Sequence, residues 1–337
     1  VVSGPKRHHQ VPRFYLGRFA EKGRVHVRRR DGGQFTTDPI NVAVEANFYK
    51  VSDVGPTAAL AVEKMMSVNE GDAKTAMDQI DRIGAPPTEG NAFREVLTTF
   101  IGVQLLRTTQ SREQVLFPMS VSKWAGGRAL TERLMAEFLR EQYLGFEPWP
   151  REAEAALTYI KVGLDDGPLN QDFAIRTTLS SLQRMLEEVL SFRWSVEAAA
   201  SGHFITSDVP VVLWRPPSAA DNYRGIGIAN ATEIRLPISP SMQIVLGRTK
   251  RRNSVRVTEH RVKRCNAEMA AGCHRFIVGQ PSQIGAMSRL KLDARRPVLR
   301  FNIGPMVEDA PEGGLRQTGA EVLHVWHPRS PMSGRRN

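Results

Sequence analysis

Cysteine is almost missing from this chain: Cys265 and Cys273 are the only two among 337 residues. Two thiols make neither a disulfide framework nor a complete structural zinc site, so both are expected reduced and buried, as in a cytoplasmic protein. Long apolar runs are missing too. Nothing approaches the ~18–20 residues that cross a bilayer, and Val1–Pro5 lacks the apolar stretch of a secretory signal, so no membrane partner is expected. No HExxH, HxH or HD pair supplies a local metal site. No Walker A loop, GxGxxG after a strand or GxSxG elbow is present, nor any RNP, KH, zinc-finger or helix-turn-helix pattern. Neither metal nor cofactor is expected. Acidic residues run short as well, with 35 Asp and Glu against 46 Lys and Arg, a net charge of +11. Such an excess attracts polyanions, and the guanidinium fork suits phosphate; the alternative is charge spread over the surface with no partner.

What is present reads as an α+β fold. Hydrophobic content of 41% supports a sizeable core. Arg24–Arg30, the turn signal Asp31-Gly32-Gly33 and Gln34–Thr37 form a hairpin, and Phe48–Val51 a further strand. Apolar residues then recur at helical spacing over 58–68, 72–83, 91–110, 130–144, 151–164 and 172–192. The last third returns to strands at 193–199, 203–206, 210–214, 233–240, 243–247 and 254–258. A helix follows at 259–272, then strands at 275–279, 299–303 and 322–326. Residues 243–258 read as a hairpin around the basic loop Arg248–Asn253. The expected organisation is a small N-terminal β unit (1–55), a helical bundle (56–192), a C-terminal region with an antiparallel or mixed sheet (193–327) and a mobile tail (328–337).

Two stretches carry most of the candidate chemistry: Lys6–Phe19, with adjacent histidines, and Phe204–Val212. Pro210 cannot donate to a sheet ladder, so the strand before it ends or lies at an edge and presents Asp208 at its terminus. A carboxylate there carries chemistry or caps a turn. His8 and His9 are adjacent, so on an extended segment only one faces a site shared with Asp208; a His–Asp pair serves a base, a metal or a buried pin. Gln104 and Arg107 share a face of the long helix, and Gln104 falls inside its apolar stripe, so it needs a partner, Asp208 or a bound anion. Tyr15 and Tyr49 are core aromatics or a stacking platform. Lys250, Arg251, Arg252 and the run Arg261–Arg264 form a phosphate-tracking surface or a solvated charged face.

His8-His9, Val11-Pro12, Phe14-Tyr15-Leu16 and Phe19 resemble the signature of a bacterial family known only as domain of unknown function 4238. The resemblance extends through Phe48-Tyr49, Gln104–Thr108, Phe204–Val211, Leu236–Pro240 and Asn266, about residues 6–280. Val209 stands where the family type has Asn, which leaves Ser207 and Asp208 undisturbed. The family implies no settled activity; it supports the architecture and the choice of residues.

The leading expectation is a metal-independent phosphodiesterase, most simply acting on RNA. His8 or His9 would be the general acid/base, Asp208 would orient it and Arg107 would stabilise phosphate charge. Tyr15, Tyr49, Gln104, Ser207, Lys250, Arg251 and Arg252 would hold substrate. The alternatives are a non-catalytic binder of nucleic acid or protein whose polar cluster is structural, and a hydrolase or transferase acting on a small anionic molecule.

Overall fold

A computed structural model describes residues 7–42, 44–46, 56–165, 182–216, 226–249, 252–292, 298–310 and 315–326, and only the backbone at 7–9, 44–46, 56–68, 112, 115, 163–165, 306–309, 315 and 320. The α+β expectation holds, with several sheets and helices arranged in two compact units.

Unit 1 spans Val1–Thr108, Ser181–Trp214 and Ile228–Arg295. Strand β1 (Arg7–His9) precedes helix α1 (Arg13–Gly17), and the expected hairpin forms from β2 (Val25–Arg29) and β3 (Gln34–Thr37). Gly32 turns that hairpin at φ +93°, a left-handed conformation that suits glycine. The short β4 (Val44–Ala46) pairs antiparallel with β1. Helix α2 (Pro56–Ile83) is continuous through Gly71, where two helices were expected. Helix α3 (Ala92–Leu106) is capped at its start by Asn91 and ends at Arg107, earlier than the periodicity suggests. The chain then turns into unit 2 and returns.

On its return the chain forms helix α7 over 182–191, then β5 (Arg193–Ala199), β6 (Thr206–Ser207), β7 (Val212–Trp214), β8 (Glu233–Ser239), β9 (Met242–Gly247) and β10 (Ser254–Val257). Helix α8 (Glu259–Gly272), strand β11 (Phe276–Gly279) and a short helix at Ile284–Ser288 follow. The N-terminal hairpin is completed by strands from far along the chain, in the order β3-β2-β11-β6. The second sheet runs β10-β5-β9-β8-β7.

The expected hairpin over 243–258 is corrected by this order. Strand β5 lies between β9 and β10, and β10 joins it in parallel. A parallel neighbour needs a crossover rather than a tight turn, so the basic loop bridges two strands that never pair.

Alternation gives the five-stranded sheet two unlike faces. Trp194, Val196, Ile234, Leu236, Ile238, Ile244 and Leu246 enter one core with Val11, Leu16, Phe100 and Ile101. Ser195, Glu197, Arg235 and Gln243 lie on the opposite face, and they too are buried. Each large apolar side chain removed from water contributes about 1.5–3 kcal/mol.

Unit 2 spans Thr109–Ser180, Arg215–Gly227 and Arg296–Asn337. It contains α4 (Thr109–Ala125), α5 (Glu132–Phe138) with a π turn over Leu139–Leu144, α6 (Glu152–Asp165) and the long hairpin of β12 (Arg300–Asp309) and β13 (Leu315–Trp326). Its core is aromatic: Phe117 sits 4.7 Å from Phe301 and 4.9 Å from Tyr143, ring centre to ring centre. Glu152, fully buried, takes Arg300 in a two-pronged ion pair at 2.6 and 2.8 Å. No described helix is long and apolar enough to cross a membrane.

Candidate functional site

The N-terminal motif is built into the core of unit 1. Pro12 precedes the first turn of α1, where its fixed φ suits helix entry, and Val11, Tyr15, Leu16 and Phe19 are fully buried. The Tyr15 ring lies 5.9 Å from Phe100 of α3, and Phe14 lies 5.8 Å from the same ring. The Tyr15 hydroxyl donates to the Pro237 carbonyl (2.6 Å) and meets Thr206 Oγ1 (2.9 Å). Burial pushes its phenol well above the ordinary range. Arg18 donates through Nε to the Ile238 carbonyl (2.6 Å) and pairs with Asp78 and Asp81 of α2. Tyr15 is therefore a buried tie between α1, β6 and β8 and offers no open hydroxyl.

Just before α1, Gln10 is almost wholly buried, and its Oε1 accepts from Arg275 Nη2 at 2.7 Å. The backbones of His8 and His9 pair with Glu45 and Val44. Their side chains lie outside the described residues, as do Tyr49, Lys250 and Arg251.

Asp208 follows β6, whose two residues pair with Val278 and Ile277 of β11. Its side chain is fully buried. Oδ1 accepts from His274 N (2.9 Å) and Oδ2 from Arg275 N (2.6 Å), while Arg275 Nε stands 3.8 Å away. Burial pushes the carboxyl up to about 6, against the pull of these amides and of Arg275. Ser207 Oγ accepts from Val209 N (3.0 Å) and reaches the Val209 carbonyl (2.9 Å), closing the turn before Pro210. Both side chains close local turns, and Asp208 closes the one that leads from α8 into β11.

Helix α3 brings its own polar pair. Arg107, at the C-cap, donates from Nη1 to Glu70 Oε1 at 2.8 Å. Gln104 is 2% exposed, and neither amide atom has a hydrogen-bond partner among the described residues. It lies one turn beyond Phe100, on the stripe that meets Phe14 and Tyr15. Among the described residues Asp208 meets His274 and Arg275, not Gln104 or Arg107 as expected. Pairing of β6 with β11 holds Asp208 at the α8–β11 turn, and Arg107 is met by α2 instead.

The expected basic surface is partly present. Arg252 is exposed, and Arg256, His260 and Arg264 are exposed beyond it on β10 and α8. Lys263 pairs with Glu259 at 2.8 Å. Arg261 turns inward and binds Glu197 and Glu233, each at 3.0 Å.

That inward turn belongs to a network sequence reasoning missed. Gln243 donates to Glu197 (2.6 Å), Arg235 donates to Glu233 (2.6 Å) and pairs with Glu268, and Arg235 also lies over the Trp214 ring at 4.3 Å. Burial alone would raise the Glu233 carboxyl, but Arg235 and Arg261 hold it down to about 2. The available signal was Glu233-x-Arg235, two charges at strand period inside an apolar segment. Among the described residues, no group of three His, Cys, Asp or Glu side chains gathers to hold a metal ion.

A family model described as protein of unknown function (DUF4238) matches residues 7–283. The chain belongs to that family. No curated protein and no solved structure matches it. Nearly all of the DUF4238 match falls in unit 1 or in unit 2 helices enclosed by it in sequence, and it stops before the β12–β13 hairpin. Charge follows unit 1 as well. Counted over its three segments, unit 1 has 30 Lys and Arg against 20 Asp and Glu, so it carries +10 of the +11.

Proposed function

We propose that this protein acts on a phosphate-bearing polymer, most simply RNA, as a metal-independent phosphodiesterase. The observation that carries the reading is the segregation of charge: the unit that contains the tandem histidines, Tyr15, Gln104, Arg107 and Asp208 carries +10. Polyanion binding needs such an excess, because neutralising phosphates releases condensed counterions. In this proposal Arg252, Arg256 and Arg264 track the backbone, and His8 or His9 moves the proton. In this reading Asp208 acts through the backbone amides of His274 and Arg275. It holds the α8–β11 turn and, through Arg275 and Gln10, the segment that follows the histidines.

The test is end-labelled single-stranded RNA incubated with the full chain in EDTA, at low and at high salt. Cleavage that survives EDTA and disappears in His8→Ala or His9→Ala variants of unchanged melting temperature supports the reading. Absence of cleavage, with no salt-dependent binding, sinks it.

A second reading is favoured by a specific observation. Asp208 and Arg107 already have partners in the protein, backbone amides for one and Glu70 for the other. Such a cluster suits a non-catalytic nucleic-acid binder. That reading predicts salt-dependent RNA binding with no cleavage.

A further inference from the structure

A cavity of about 380 Å³ opens in unit 1 between the start of α3 and residues 190–193. It belongs to none of the motifs above. Arg94 lines it and is nine-tenths buried, its guanidinium lying 5.3 Å from the centre of the Trp194 ring. Its Nη2 donates to the Phe192 carbonyl (3.2 Å) and stands 3.9 Å from Glu89. Glu89 itself is drawn closer to Arg193, at 2.9 Å. Arg94 Nε and Nη1 make no hydrogen bond among the described residues. Burial lowers the Arg94 pKa, Glu89 opposes that, and Arg193 adds to it, so the guanidinium is short of negative charge.

The helix end is not the hook. Asn91 takes the Phe93 amide on its side chain (2.9 Å) and the Arg94 amide on its carbonyl (2.8 Å), which uses the donors a bare N-terminus would offer. The lining also includes Glu95, exposed and in no ion pair among the described residues, and the half-exposed apolar side chain of Leu190. Beside the Arg193–Glu89 pair, a buried cation with spare donors, a carboxylate in no ion pair among the described residues and an apolar side chain share one cavity, which calls for a ligand carrying both signs.

We infer that this cavity binds a small zwitterion of the α-amino-acid class, with its carboxylate on Arg94, its ammonium on Glu95 and an apolar side chain against Leu190. Charge-assisted hydrogen bonds to a partly dry guanidinium supply affinity, and the paired carboxylate supplies discrimination against simple anions.

The test is calorimetric titration of the full chain with L-leucine, with 4-methylpentanoate, which lacks the ammonium, and with 3-methylbutylamine, which lacks the carboxylate. L-Leucine is expected to bind, and each analogue to bind about tenfold or more weakly, the loss of one charge-assisted contact. Glu95→Gln, a change at an exposed position, should bring L-leucine down to the level of 4-methylpentanoate. No heat with L-leucine overturns the site, and equal binding of 4-methylpentanoate overturns the zwitterion. Because Arg94→Gln endangers folding, Leu190→Trp is the second variant, filling the mouth. L-Leucine binding that persists in folded Leu190→Trp overturns the location.

Discussion

At the scale of single residues, Asp208 shows how a family motif is held in place by plain hydrogen-bond accounting. Two backbone amides spend themselves on its carboxylate. Asp208→Ala should cost about 2–4 kcal/mol, because it strands two buried donors, and a lowered urea midpoint would register it. The carboxyl also makes stability depend on pH. Its folded pKa, about 6, lies above the ordinary 3.8, so the folded state binds the proton more tightly. The contribution is fully present below 3.8 and is lost as pH rises through about 6. Comparing urea midpoints of the wild type and Asp208→Asn across pH 4–7 should show the wild type losing ground over that window; parallel curves would refute it.

Gln104 points the other way. A buried carboxamide with neither atom partnered among the described residues costs free energy, so Gln104→Leu should stabilise the free protein by about 1 kcal/mol, seen as a higher melting temperature. A lower one would mean that a bound molecule satisfies the amide in solution. Gln104 was legible in the sequence because it interrupts an apolar stripe. Its missing partner was not, since periodicity says which face a residue takes and nothing about what stands opposite.

At the scale of elements, buried ion pairs decide how helices dock on sheets. Glu152 begins α6 and Arg300 begins β12, and the pair is closed from water. Removing one partner leaves a buried charge alone, so Glu152→Ala should cost about 3–5 kcal/mol, measured by denaturant unfolding. The same logic holds α8 against the polar face of the five-stranded sheet through Arg261, Glu197 and Glu233. Element type was largely readable: the hairpin at 25–37, helix 259–272 and strands 193–199 and 233–239 follow from turn residues, caps and alternation. Partnership was not. Strands β9 and β10 are adjacent in sequence around a basic loop, yet β5 takes a place between them, because its apolar positions fill the centre of the core. The helix expected over 91–110 likewise ends at Arg107, where the chain passes into another core.

At the scale of the whole molecule, uneven charge makes a prediction about binding. If unit 1 meets RNA through β10 and α8, replacing Arg252, Arg256 and Arg264 together by alanine should weaken binding about equally for all sequences. Each lost phosphate contact should reduce the slope of log affinity against log salt by about 1. Filter binding at a series of salt concentrations measures both, and an unchanged slope would place the interface elsewhere. Composition and local pattern alone determined the α+β class, the basic character and the segments that carry the family motifs, because these depend on counts and on neighbours within a few residues. Only the tertiary structure decided that the N-terminal hairpin shares a sheet with β11 and β6. It also decided that Asp208 answers to the amides of His274 and Arg275, and that Arg107 answers to Glu70. Those partners lie tens of residues away, and which of many compatible groups meet is settled by how both faces of each sheet are covered.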